Sequence, residues 1–136
     1  MRERASILIV DDDPAVRLSY AMIIARRTTD CEAQTAWNGE DALRAMERHP
    51  SDVVLLDMRM PGADGLSVLR ELKHRWPECE VVVITGYPTV ESAKEAVRLG
   101  ACDYLAKPVG PDEVIGAARS ALARKQWTLR AAETIQ

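Results

Sequence analysis

Polar side chains stand directly behind four short apolar runs in this 136-residue sequence. Asp11, Asp12 and Asp13 follow Ile7 to Val10, and Asp57 follows Val53-Val54-Leu55-Leu56. Thr85 follows Val81 to Ile84, and Lys107-Pro108 follows Cys102 to Ala106. Consecutive aspartates repel one another, and keeping several ionised at close range is unfavourable without a cation. Oxygen-only donors suit a hard ion, and Mg²⁺ takes a few carboxylates while keeping water. Helix capping is the other use of such residues: an aspartate before Pro14 satisfies free N–H groups and complements the helix dipole. The expectation is a division of labour, with Asp13 capping and Asp11 and Asp12 facing a pocket.

Asp57 taken alone is a turn residue. Beside a metal held by Asp11 and Asp12 it becomes a candidate nucleophile, because a carboxylate can attack phosphorus once the transferring charge is neutralised. Lys107 is either a solvated surface cation or, behind a buried strand and next to carboxylates, a partner of Asp57 or of a phosphoryl oxygen. A cis bond to Pro108 would aim its ammonium inward. Thr85, followed by Gly86, is either an ordinary strand threonine or a hydroxyl donor to a phosphoryl oxygen.

Other chemistries lack their residues. The two histidines, His49 and His74, sit beside Pro50 and Arg75 and read as surface groups, so no Ser-His-Asp set is available. No Gly-rich phosphate loop of the G-x-x-x-x-G-K-[ST] type occurs. Cys31, Cys79 and Cys102 have no metal-type spacing, and their odd number fits reduced, buried thiols in a cytoplasmic compartment. The residues therefore describe a cup with one nucleophilic carboxylate, suited to taking phosphate onto the protein and losing it to water.

To share one rim, these groups must be positioned by strands that run in parallel. The apolar runs Ile7–Val10, Asp52–Leu56, Glu80–Ile84 and Cys102–Ala106 suggest buried strands, and the more polar Glu32–Ala36 suggests an edge strand. Helical patterns lie between them. Pro14 opens one with a stripe of Val16, Tyr20, Ile23 and Ile24; Asn38-Gly39 leads to one through Ala42, Leu43 and Met46, ended by Pro50. Leu66, Leu69 and Leu72 mark a third, stopped before Pro77, and Val90, Ala93 and Val97 a fourth, with Gly100 as its C′ residue. Val114, Ala117, Ala118 and Leu122 mark the fifth, with Pro111 and Asp112 near its start. The pattern is (βα)5, an α/β doubly wound five-stranded parallel sheet with helices on both faces. In such sheets ligands bind outside the carboxyl ends of the strands. Leu129 falls seven residues after Leu122, so the segment 125–136 reads equally as a continuation of the last helix or a linker stub.

Composition agrees with one domain: hydrophobic residues make up 47% and charged residues 29% of the chain. A net charge of −3 gives no bulk attraction to nucleic acid or anionic membrane. The apolar runs are far shorter than the roughly 20 residues of a membrane helix, and Met1 to Ser6 lacks the apolar stretch of a signal peptide.

The segments Ile7-Leu-Ile-Val-Asp-Asp-Asp, Asp52-Val-Val-Leu-Leu-Asp-Met-Arg-Met-Pro-Gly, Val81-Val-Val-Ile-Thr-Gly and Gly100-Ala-Cys-Asp-Tyr-Leu-Ala-Lys-Pro resemble the receiver domain of two-component response regulators. Order and spacing agree over residues 5–124, and the domain is placed at 1–124. The resemblance implies a flavodoxin-like fold with strand order 2-1-3-4-5. It implies that Asp57 accepts a phosphoryl group from a sensor histidine kinase or phosphotransfer protein, with Mg²⁺ on Asp11, Asp12, Asp57 and the Met58 main-chain carbonyl. Thr85 and Lys107 would hold the phosphoryl oxygens, and Tyr104 would be an aromatic switch that turns inward as Thr85 moves. The other use of Tyr104 is as an ordinary strand aromatic in one rotamer. Arg59 and Tyr87 fall at positions that tune autodephosphorylation, and their bulk and charge imply a long-lived phosphoryl state. Val109 stands where the family often has Phe, which bears on packing under the last helix. The surface of the fourth helix, fifth strand and fifth helix would be the partner face and can support a homodimer. The output implied is transcriptional control through a further domain, or alternatively a stand-alone regulator. Two rival functions are a metal-dependent phosphohydrolase, disfavoured because Arg59 stands where an acid/base aspartate is needed, and a docking domain with an idle pocket.

Overall fold

The computed structural model describes residues 4–60 and 63–135. Pro61 and Gly62 of the second motif, Met1 to Glu3 and Gln136 lie outside them. Strands β1 (Ala5–Val10), β2 (Cys31–Ala36), β3 (Val53–Leu56), β4 (Glu80–Thr85) and β5 (Asp103–Ala106) alternate with helices α1 (Pro14–Arg27), α2 (Gly39–Arg48), α3 (Gly65–Arg75), α4 (Val90–Arg98) and α5 (Pro111–Ile135). All strand pairs of the main sheet are parallel, in the order β2-β1-β3-β4-β5. After β1 the chain first winds to β2 on one side and then crosses to β3 on the other. The reversal opens a crevice between the carboxyl ends of β1 and β3.

Side chains alternate across the sheet, so each buried strand feeds two cores. Ile7, Ile9, Val53, Leu55, Val82 and Ile84 pack with Tyr20 and Ile24 of α1 and Val114 and Ala118 of α5. Leu8, Val10, Val54, Leu56, Val81 and Val83 pack with Ala42 and Met46 of α2, Leu69 and Leu72 of α3, and Ala96 of α4. Full burial of one such aliphatic side chain contributes about 1.5–3 kcal/mol. That explains why the stretches Ile7–Val10, Val53–Leu56 and Val81–Ile84 of β1, β3 and β4 consist of Val, Ile and Leu. β2 occupies an edge, as its polar alternation predicts.

Helix starts follow the capping chemistry. Asp13 Oδ1 accepts the Ala15 N–H at 2.9 Å, with Pro14 in the first turn. Asn38 caps α2 through the Asp41 N–H, and Asp64 caps α3 through the Leu66 N–H. Thr89 and Ser92 form a reciprocal capping box on α4. Gly100 follows α4 with φ +104°, the left-handed conformation expected of a C′ glycine.

Two expectations need correction. The Val90–Ala93–Val97 stripe does not mark the buried face of α4: Val90 and Val97 are 72% and 64% exposed, and Ala96 is the residue packed against the sheet. Asp52 and Cys102 lie just before β3 and β5 rather than within them. The Asp52 carboxylate instead accepts the Ser6 N–H at 2.8 Å and the Lys125 ammonium at 2.6 Å, tying α5 to the amino ends of the strands. α5 is one helix through Ile135.

Candidate functional site

The strand register determines which side chains reach the rim. Val10 pairs with Leu56 and Leu56 with Val83, so the residues that follow emerge at one level. Their backbones are fixed by the last rungs of the sheet. The Asp57 N–H donates to Val10 O at 2.9 Å, Asp11 N–H to Ala36 O at 3.1 Å, and Lys107 N–H to Thr85 O at 2.7 Å.

Asp11, Asp12 and Asp57 each offer a carboxylate oxygen, and these atoms lie within 4.8 Å of one another. Asp11 and Asp57 are buried and Asp12 is exposed, so the cluster has a closed floor and an open side. Asp13 is turned away as the cap of α1 and donates its N–H to Asp11 Oδ1 at 2.9 Å, which is the expected division of labour. The Lys107 ammonium lies 2.9 Å from Asp11 Oδ2 and 3.6 Å from Asp57 Oδ2. Its closest carboxylate is thus Asp11, with Asp57 next. The Lys107–Pro108 bond is cis.

These charges set the protonation of the cup. Burial raises the Asp57 carboxyl above the ordinary carboxylate value, and the neighbouring Asp11 charge adds to the rise against the opposing Lys107 charge. Burial pulls Lys107 down, but its hydrogen bond to Asp11 and the Asp57 and Asp11 charges outweigh that and hold it above the ordinary lysine value. Three carboxylates against one ammonium leave negative charge uncompensated. An all-oxygen donor set of this spacing fits a hard divalent cation.

The loop after β3 supplies a further oxygen. Met58 O accepts the Gly65 N–H at 3.3 Å, and a carbonyl retains a second lone pair. A Cβ on Gly65 would stand 2.6 Å from Met58 Cα and 2.7 Å from Met58 O. Only glycine lets the start of α3 approach that loop so closely.

Thr85 is buried at the end of β4, and its Oγ1 accepts the Tyr87 N–H at 3.1 Å. Tyr104 is half-buried on β5, paired in register with Val83. Its hydroxyl lies 2.5 Å from Ser92 Oγ and accepts the Thr89 N–H at 3.4 Å, so the aromatic is latched to the capping box of α4. Arg59 and Tyr87, far apart in sequence, meet with the guanidinium 4.0 Å from the ring centroid.

Three residues near the site escape a reading of the sequence. Tyr20, which looks like a core member of the α1 stripe, also lines a cleft of about 540 Å³ with Lys107, Gly86 and Pro108. Burial, with Asp11 and Asp57 near and Lys107 opposing, raises its phenol above the usual tyrosine value. Helical periodicity cannot separate a core residue from one whose tip reaches a site. Gly65 and Ser92 did have local signals, a glycine behind the cap Asp64 and a Thr-x-x-Ser capping pattern, but neither signal says what the residue touches across the fold.

Comparisons with known proteins agree with this geometry. The response regulator receiver domain family matches residues 7–119. The chain is 35% identical over 124 residues to the DNA-binding transcriptional regulator NtrC of Escherichia coli (strain K12), covering 91% of this chain and 26% of that protein. It is 43% identical over 110 residues to the regulatory protein AtoC of the same organism, covering 79% of this chain and 23% of AtoC. A crystal structure of NtrX from Brucella abortus superposes with a TM-score of 0.89 at 34% identity, covering 96% of this chain and 29% of that one. The chain thus spans about a quarter of the length of the curated relatives it matches. A five-stranded parallel sheet whose β1 and β3 ends gather three aspartates beside a lysine from the end of β5, together with a family match spanning most of the sequence, places this chain among the response regulator receiver domains.

Proposed function

We propose that Asp57 is the phosphoacceptor of a signalling switch, charged by a sensor histidine kinase or phosphotransfer protein in the cytoplasm. The observation that carries this reading is the buried Asp57 carboxylate, grouped with Asp11 and Asp12 and facing the Lys107 ammonium at 3.6 Å. A carboxylate oxygen of Asp57 bonds to phosphorus as the bond to the donor imidazole nitrogen breaks, and the imidazole leaves with the electron pair. Mg²⁺ held by Asp11, Asp12, Asp57 and the Met58 carbonyl would neutralise charge on the transferring group. Lys107, already oriented by Asp11, pairs with one phosphoryl oxygen, and the Thr85 hydroxyl donates to another. The chain's own catalysis is limited to gaining and losing this phosphate.

Phosphorylation adds one to two negative charges and three strong acceptors beside Thr85. Thr85 drawn toward them favours a conformer in which Tyr104 leaves the Ser92 latch and packs inward. That conformer alters the α4–β5–α5 face, where Val90 and Val97 already stand exposed for a partner, including a second copy of the chain. NtrC is a DNA-binding transcriptional regulator, and control of transcription through a further domain is the output that fits this likeness; a stand-alone regulator is the alternative.

Incubation with acetyl phosphate and Mg²⁺ followed by intact-mass measurement tests the acceptor. A single phosphoryl adduct that is released by alkali and by hydroxylamine, and is abolished in Asp57→Asn, is expected. Multiple-turnover hydrolysis of phosphomonoesters would instead make the chain a phosphohydrolase. No adduct from either a small donor or a kinase would leave an idle pocket.

A further inference from the structure

The apolar stripe of α1 contains one polar tip. Tyr20 is 7% exposed and belongs to the core that holds Ile24 and Val114. Among the described residues every buried side-chain nitrogen or oxygen has a hydrogen-bond partner, yet the Tyr20 hydroxyl has none. The hydroxyl is therefore the part of Tyr20 that opens on the cleft of about 540 Å³ shared with Lys107. Phe would fill the same place with no polar tip, and an unbonded hydroxyl beside a core is unfavourable. Lys107 has the complementary surplus. An ammonium carries three N–H donors. Asp11 Oδ2 takes one at 2.9 Å and Asp57 Oδ2 stands at 3.6 Å, which leaves a donor without an acceptor. Among the side chains lining the cleft with Lys107, Ser19 and Tyr20 carry the oxygens, and Ser19 is exposed. Burial keeps the Tyr20 phenol in its neutral form, and the Lys107 charge is the strongest of those acting on it.

We propose that Tyr20 is a positioning residue for Lys107: its hydroxyl accepts the spare N–H of the ammonium and aims that charge at the phosphoryl group on Asp57. This rests on the phosphoacceptor reading above. In the resting chain Asp11 orients the ammonium. Once Asp11 turns its oxygens to a cation and Asp57 carries phosphate, both anionic holds weaken, and the flexible four-carbon stem requires another. A neutral hydroxyl suits that place. It sets the direction of the ammonium without neutralising it, whereas a carboxylate there would compete with the phosphoryl oxygens and repel them. Tyr20 is itself held by the packing of α1 on the sheet, so its oxygen is a fixed point against which the lysine is set.

Tyr20→Phe tests this, since it removes one oxygen and keeps the ring in the core. The chain is isotope-labelled at its lysine nitrogens and loaded with Mg²⁺ and beryllofluoride, and the Lys107 ammonium signal is identified by its loss in Lys107→Arg. In wild type that signal is expected to be protected from exchange with water. In Tyr20→Phe it should broaden or vanish while the fluorine spectrum still shows bound beryllofluoride. Phosphorylation by acetyl phosphate should slow about three- to tenfold, the factor that a single hydrogen bond supports. The half-saturating Mg²⁺ concentration should stay the same and the urea midpoint should not fall. Ser19→Ala should match wild type in both measurements. An ammonium equally protected in Tyr20→Phe, or unprotected in wild type, would overturn the role of Tyr20. So would an unchanged rate, an equal loss in Ser19→Ala, or a slower rate explained by weaker Mg²⁺ binding. All of these leave the acceptor intact. A wild-type chain that takes neither beryllofluoride nor phosphate would overturn the acceptor reading, and the role of Tyr20 with it.

Discussion

Asp57 stores an unfavourable interaction until a cation or phosphate arrives. Its carboxyl is held above the ordinary value by burial and by Asp11, so its ionisation weakens the metal-free fold. The sign follows from linkage: a raised folded-state pKa means stability is fully present below the unfolded carboxylate value and is lost as pH rises through the folded one. Asp57→Asn in EDTA should therefore be more stable than wild type near neutral pH. The difference should shrink toward zero in acid, as urea denaturation at several pH values will show. An equal or lower midpoint for the variant at pH 7 would contradict it. The rim residues were legible in the sequence because each stands where an apolar run stops. The partner of Lys107 was not, since the choice between Asp11 and Asp57 depends on separations of 2.9 and 3.6 Å across three loops.

At the level of elements, the close approach of α3 to the loop after β3 is the most restrictive packing near the cup. Gly65→Ala puts a methyl 2.6 Å from the Met58 backbone, which cannot yield as a flexible side chain would. Overpacking of this kind costs about 1–3 kcal/mol. Because Met58 O is displaced with it, Mg²⁺ affinity by calorimetric titration should fall together with the thermal midpoint. A stable variant with unchanged affinity would remove the Met58 carbonyl from the ion's shell. The existence and order of the helices followed from apolar spacing, prolines and turn residues in the sequence, as Pro14, Asn38-Gly39, Pro50 and Pro77 illustrate. The orientation of α4 did not, because Val90, Ala93 and Val97 have helical spacing whether they face the sheet or the solvent.

For the whole molecule, two apolar faces have different fates. The α1 and α5 face is filled by Tyr20, Ile24, Val114 and Ala118, whereas α4 leaves Val90 and Val97 in water. Exposed valines flanking the Tyr104 latch suit a surface used in one state of a switch, since their burial can then reward only the conformer that offers them. Val97→Glu should abolish dimerisation of the beryllofluoride-bound chain in sedimentation experiments while leaving acceptance of phosphate at Asp57 unchanged. Dimers of undiminished affinity would move the partner surface elsewhere. At the opposite end, Lys125 on Asp52 and Arg124 on Glu80 fasten α5 to the amino ends of the strands.

The sequence by itself determined the alternation of strands and helices, the edge position of β2 and the identity of the polar residues at the strand ends. These are local matters: runs of Val, Ile and Leu, caps and turn residues act within a few positions of one another. Only the tertiary structure decided that Lys107 bonds Asp11, that Tyr20 shares a cleft with Lys107, that Gly65 touches Met58 and that Arg59 finds Tyr87. Each depends on register and on side-chain reach between segments brought together by burial of the two cores, and no local pattern in the chain encodes such a distance.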